Sequence, residues 1–335
     1  MLLTRLRPIT LQRLGLAAGI AVLAGAWTAY MRLSYPASPS DLDIILLGTK
    51  AWLAGNNPYT TVIVGPPGEQ IPLMYPFPAM LLFVPFIAIP APWVDVLWTV
   101  AGSGFLVWAL TSERLLSPPL AMFIATPFIL AIQASQWTPQ LLAATLLPWG
   151  GWLFACKPTT ALWLFAYRPT WRHVITGGIA VLISLAFWPT WPLEWRAVLG
   201  RVTVAAPVTV FGGALALLAL LRWRRPEARL LVTMAVVPHS PIIYEALPLF
   251  LVPATWAEAG ILWAGTVAAV ILHDAFGPYP TAAAWLASSG RAIVWCVYLP
   301  ALIMILRRPN VFPGPPLAEP ASPVSLSRRS ESEAP

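Results

Sequence analysis

Between Leu11 and Leu306 apolar runs follow one another, and no polar block between them is long enough to fold by itself. That pattern leaves few folds open. A soluble domain carries about 25% charged residues, whereas 10% of these 335 residues are charged and 58% are hydrophobic. So few charges cannot clothe a water-facing surface, and lipid must solvate most of the chain. Backbone polar groups inside a bilayer are satisfied only by helices or closed barrels. Long apolar runs without strict alternation predict helices, so the expected fold is an all-α integral membrane protein.

Crossing the hydrocarbon core takes about 20 apolar residues. Candidate spans cover 11–31, 77–90, 93–111, 117–133, 138–153, 155–167, 172–190, 203–222, 228–240, 242–256, 260–274 and 282–306. Several fall short of that length. Proline interrupts many, for the chain has 37, among them Pro127, Pro139, Pro148, Pro189 and Pro248. Each one removes an internal hydrogen bond and kinks or splits a helix. A membrane tolerates this where protein or a wet cavity satisfies the freed backbone. The expectation is about ten to twelve transmembrane helices, several short or broken, around an internal cavity. They form one polytopic domain over residues 1–308.

The net charge is +7, and the basic residues are 18 Arg and 2 Lys. These arginines flank apolar runs and do not line one polar face. The positive-inside rule therefore explains them better than nucleic-acid binding does. By that rule Arg5, Arg7 and Arg13, the Arg168–Arg172 turn, the Arg222–Arg229 turn and Arg307–Arg308 face the cytoplasm of a multi-pass cell-membrane protein. Both termini are then cytoplasmic. Residues 32–76, 190–200 and 239–241 fall outside. The Pro- and Ser-rich tail 309–335 has the composition of a disordered cytoplasmic segment. The first span resembles a signal peptide, with a weak cleavage match at Ala24-Gly25-Ala26, but the many spans after it favour its retention. Cys156 and Cys296 each lie in apolar sequence, without metal or disulfide spacing, and read as buried free thiols.

The longest polar stretch, 34–76, follows the first span. Ser38-Pro39-Ser40-Asp41-Leu42-Asp43 supplies a serine cap, a proline at the first helical position and an acid three residues on. Gly55-Asn56-Asn57-Pro58-Tyr59 supplies the stop. Between them lies a helix of about three turns at the extracytoplasmic interface, with Leu42, Ile45, Leu46, Trp52 and Leu53 apolar.

Few residues could carry chemistry. Asp41 and Asp43 either cap that helix or supply a general base. Lys157, in Ala155-Cys156-Lys157-Pro158-Thr159, either binds an anionic group such as phosphate or snorkels to an interface. Gln133, Gln136 and Gln140 form a polar seam around Trp137, suited to interhelical hydrogen bonds. His239-Ser240-Pro241 and Tyr244-Glu245 place a histidine and a glutamate in one kinked stretch. Glu194 and Arg196 read as a surface pair, while Asp95, Glu258 and Asp274 show no partner in sequence. There is no Gly-rich phosphate loop, HExxH or GxSxG, no metal-ligand set, and no cofactor is expected. The 18 tryptophans exceed what interfacial belts need, and aromatic faces also stack on sugar rings.

Taken in order, these motifs resemble glycosyltransferase family 87. The stretch from Asp41 through Gly55-Asn-Asn-Pro58-Tyr59 is similar to that family's first outer loop. Tyr75-Pro76-Phe77-Pro78 looks like its lead into the next span. Gln136-Trp137-Thr138-Pro139-Gln140-Leu141-Leu142 looks like its Gln-x-x-x-Leu-Leu segment, and Lys157-Pro158-Thr159 like its Lys-Pro signature. Ser240-Pro241 with Tyr244-Glu245 is similar to its Ser-Pro…Tyr-acid stretch. The resemblance spans roughly residues 40–250.

The resemblance implies a GT-C-like membrane glycosyltransferase working in the cell envelope. Such enzymes move a sugar, commonly mannose, from a polyprenyl-phosphate donor to a lipid or glycan acceptor on the extracytoplasmic face. It assigns the base to Asp41, with Asp43 as the alternative. It places Asn57, Tyr59, Tyr75, Gln136, Lys157, His239, Tyr244 and Glu245 about the substrates. The partners implied are the donor, the acceptor and membrane lipids, with no nucleic acid. Two other readings stay open: a transporter or flippase of lipid-linked sugar, and a non-catalytic membrane protein of envelope assembly.

Overall fold

The computed structural model describes residues 8–35, 40–64, 71–200 and 204–311. Arg5, Arg7, Ser38, Pro39 and nearly all of the 309–335 tail lie outside them.

Every expected apolar segment is helical, yet few are continuous. Among the described residues four helices are long and apolar enough to cross a membrane alone: Thr10–Ser34, Ala91–Leu110, Trp256–Ala275 and Ala283–Leu306. A fifth is counted if Trp171–Phe187 and Trp191–Leu199, bent by 104°, form one span. Among the described residues, helices able to span a membrane unbroken therefore number four or five and do not reach ten. Proline is the reason. Pro127 and Pro139 start new helices, Pro148 and Pro189 sit in breaks, and Pro248 lies inside a 3₁₀ segment, Ile243–Leu251. Further 3₁₀ pieces occupy Pro118–Ile124, Gly150–Ala155 and Gly213–Arg222.

Helix α1 (Pro8–Ser34) leads to α2 (Asp41–Leu53), a single turn α3 (Pro58–Thr61), and a two-residue antiparallel ladder of β1 (Ile63–Val64) with β2 (Ile71–Pro72). Then come α4 (Phe77–Phe83), α5 (Ala91–Leu110), α6 (Thr126–Gln133), α7 (Thr138–Leu146), α8 (Pro158–Tyr167) and α9 (Trp171–Phe187). The chain ends with α10 (Trp191–Leu199), α11 (Pro226–Val236), α12 (Trp256–Ala275), α13 (Ala282–Ile293) and α14 (Leu299–Leu306).

Helices α1 and α5 are antiparallel partners. Arg13 stacks on Trp108 at 4.1 Å and donates to its carbonyl at 2.8 Å. Thr28 meets Thr99 at 3.2 Å, and Arg32 reaches Asp95 at 2.6 Å. A Cβ on Gly25 would lie 2.5 Å from Val100, so glycine there lets the two backbones approach. This pairing corrects one expected span. α1 ends and α5 begins at the same end of the bundle, so residues 77–90 dip in and return without crossing. Segment 138–153 is likewise two pieces, because the chain reverses around Pro148 and Gly150 packs on Ala144.

The start of α2 also differs from expectation. Ser40, not Ser38, is the cap. Its Oγ accepts from Asp43 N at 3.3 Å, and Asp43 Oδ2 accepts from Ser40 N at 2.8 Å, a complete capping box. The stop falls as expected, with Gly55 at φ +81°. α2 is also packed into the protein: Leu42, Ile44, Ile45 and Leu46 are buried against α4 and α5. Below them Phe77, Met80, Phe83 and Trp137 form the core that fixes the site.

Candidate active site

A cluster of polar side chains gathers where α2, the Tyr75 loop, the α6–α7 turn, the start of α8 and the 243–251 segment meet. Asp41 occupies the first position of α2 and accepts a hydrogen bond from the Tyr75 hydroxyl. The Asp41 amide donates to Ala134 O at 3.1 Å, which ties α2 to the end of α6. Ser135 follows with φ +51°, and this left-handed turn carries Gln136 inward. Gln136 is 2% exposed. Its Oε1 accepts from Lys157 Nζ at 3.1 Å. Lys157 also pairs with Glu245 at 2.8 Å, and Thr138 donates to the other Glu245 oxygen at 3.3 Å.

Five residues named from sequence thus converge: Asp41, Tyr75, Gln136, Lys157 and Glu245. Tyr244 lies close enough to interact electrostatically with Asp41 and Glu245. Burial raises the Asp41 carboxyl above the usual carboxylate range, and the Lys157 charge works against that rise. One buried donor remains unpaired beside it, Trp137 Nε1, while Gln136 interacts with the Asp41 carboxylate and helps to hold it ionised. A buried donor without a partner costs about 1–3 kcal/mol, so a polar group brought to this cluster would be favoured. Trp137 also stacks on Tyr75, with ring centres 5.8 Å apart.

No protein-family model, no curated protein and no solved structure matches the chain.

Other expected site residues have different employment. Asp43 faces away from the cluster. Both its oxygens accept from Arg32 Nη2, at 2.9 and 2.7 Å. Residues two apart on a helix point roughly 200° apart, so Asp41 and Asp43 cannot share a ligand or a metal ion. Among the described residues no three His, Cys, Asp or Glu side chains gather at metal distance. Asn57 caps α3 and donates to Glu194. Tyr59 is 2% exposed, stacks on Trp188 and donates to Tyr75 O at 3.2 Å. Both are walls of the site and not its ligating surface. His239 bonds Val237 O at 2.9 Å through Nδ1 and packs edge-on against Trp163. It lies with Glu245 on a cavity of about 10 Å³ and is near enough to feel the Glu245 and Lys157 charges, but it makes no hydrogen bond or ion pair to Asp41 or Lys157.

Three structural partners were hidden in the sequence. Asp95 is fully buried, and accepts from Ser40 at 2.8 Å beside Arg32. Glu258 pairs with Arg308. Glu194 serves Asn57 and Thr190 and forms no ion pair with Arg196. Gln140 does make the interhelical bond its seam predicted, to Trp98 O at 3.0 Å.

Proposed function

We propose that the chain is a membrane glycosyltransferase of GT-C type that uses a polyprenyl-phosphate sugar. The observation that carries this reading is the meeting of one partly buried carboxylate, Asp41, with an ammonium group, Lys157, beside the unpaired indole N–H of Trp137. The broken segments support a lipid-accessible groove, since irregular backbone at membrane depth must line protein or a cavity. The orientation that puts this end outside rests on the arginine distribution.

In this reading Asp41 takes the proton of an acceptor hydroxyl, which replaces Tyr75 as its hydrogen-bond partner. The acceptor oxygen bonds to the anomeric carbon while the bond from that carbon to the phosphate oxygen breaks. The electron pair leaves with polyprenyl phosphate, whose added charge Lys157 stabilises. Attack opposite the leaving group inverts the anomeric centre. Gln136 and Tyr244 orient the sugar, and Glu245 with Thr138 holds Lys157 in place.

The test uses purified protein, labelled polyprenyl-phosphate mannose and a lipid extract. Transfer of label to a lipid or glycan product is expected with the native chain and is lost in Asp41→Asn. An Asp41→Asn protein that transfers label as fast as the native one overturns the proposal.

A further inference from the structure

A second polar feature lies away from this cluster, on the C-terminal helix pair. Arg291 sits nine residues into α13, about 14 Å along the helix from its start. That is deep for a span whose hydrocarbon layer is about 30 Å thick. An arginine at such depth ordinarily faces a partner or a cavity. The Arg291 side chain has no ion pair or hydrogen bond among the described residues. It lines a groove of about 410 Å³ with Leu272, Phe276, Tyr279, Ser288 and Trp295.

The groove is ordered on its polar side. The Tyr279 hydroxyl meets Ser288 Oγ at 2.7 Å, and the Tyr279 ring stacks on His273. Ser288 is 5% exposed. Helical side chains lean toward the helix N-terminus, which carries the guanidinium toward Ser288 and the α12–α13 loop. A π-helical turn, Val294–Tyr298, interrupts the span just after Arg291, a feature frequent at functional sites.

The geometry points to a binding site for one anionic phospholipid, its phosphate on Arg291 and its chains along Leu272, Phe276 and Trp295. Charge complementarity selects an anion, since no acid lines the groove. The apolar walls select a lipid over a free phosphate. The position selects a phospholipid over the sugar donor, because Gly290, Ile293 and Val294 on another face of α13 line the small cavity beside Glu245. This inference does not rest on the proposed transferase reaction.

Native mass spectrometry of the detergent-purified chain tests it, with phosphatidylglycerol and phosphatidylcholine of equal chain length offered separately. One phosphatidylglycerol per chain is expected to be retained in preference to phosphatidylcholine. Arg291→Gln should lower its occupancy about fivefold, the worth of one basic residue near an anionic headgroup. Arg291→Lys should restore part of it, and Arg114→Gln should change nothing. A thermal melt confirms that each variant is folded. Equal retention by native and Arg291→Gln protein overturns the site, as does equal retention of the two lipids. Displacement of phosphatidylglycerol by inorganic phosphate, or preference for polyprenyl phosphate, overturns the assignment to a phospholipid.

Discussion

Two clusters at the start of α2 are built from the same charges, two carboxylates and one cation, and yet they are opposites. Arg32 contacts both Asp43 and Asp95, and Ser40 ties the two acids together. Lys157 pairs with Glu245 alone, and no ion pair joins it to Asp41. The cations explain the contrast. A guanidinium is a rigid fork of five donors that can serve two carboxylates at once, whereas an ammonium is a compact point charge on a flexible stem. The arginine cluster is closed on itself. The lysine cluster leaves one carboxylate held by neutral groups, the Tyr75 hydroxyl and the Gln136 amide, and a substrate hydroxyl can replace the first. One is a clamp and the other is a site, and residues two apart on one helix belong to each.

The largest expected effect separates the two aspartates. Asp41→Asn should lower sugar transfer by about 10²–10⁴-fold, the range for a lost general base, with little change in thermal melting. Asp43→Asn should keep transfer within a few-fold and melt earlier. If Asp43→Asn is silent in the melt but abolishes transfer, the clamp and the site have been exchanged. Next in size is Arg32→Ala. It leaves the buried Asp95 and the half-buried Asp43 without their cation, and breaking a buried group of this kind costs about 3–5 kcal/mol. Calorimetry in detergent should show this loss, and the double variant Arg32→Ala/Asp95→Asn should recover part of it. Full stability in Arg32→Ala would mean that the clamp bears no load.

Much of this contrast could be read in the sequence, though not all. Apolar runs located the helices because burial in lipid demands them, whatever the packing. The pairing of Lys157 with Glu245 was foreshadowed by two charges in apolar stretches, where each needs a partner. The choice between Asp41 and Asp43 turns on the cap register. With Ser40 as the cap, Asp43 falls at the capping-box position and Asp41 is left free; with Ser38 as the cap, Asp41 would take the box position and Asp43 would be the free acid. Arg32 also left a signal, an arginine at the end of a span where the positive-inside rule does not place one. Thr138 stood beside Gln136 but had no charge to mark it. The reversal at Pro148 and the return of residues 77–90 depend on contacts far apart in the chain, which no local pattern carries.

A third expectation concerns pH. A general base works only when ionised, and burial raises the Asp41 carboxyl while Lys157 lowers it. Transfer efficiency should therefore fall about tenfold per pH unit below the Asp41 pKa, with this limb above the ordinary aspartate value of about 3.9. Lys157→Gln removes the lowering influence, so the limb should move to higher pH. Asp43→Asn should leave it in place. A limb that follows Asp43 and ignores Lys157 breaks the assignment of roles.

The smallest effect falls on the residue that touches both clusters. Ser40 Oγ accepts from Asp43 N and donates to Asp95, and the next residue in the chain is Asp41. Losing an N-cap hydroxyl costs about 1 kcal/mol, so Ser40→Ala should lower the melt modestly. The first turn of α2 loosens with its cap, and Asp41 occupies that turn. Transfer should then fall a few-fold through kcat, with KM for the donor nearly unchanged, since Lys157 sits on a different element. Ser40→Thr keeps the hydroxyl and should recover both properties together. If stability falls in Ser40→Ala while kcat holds, Asp41 is positioned by Tyr75 and Ala134 alone, and the clamp supports the fold without supporting the site.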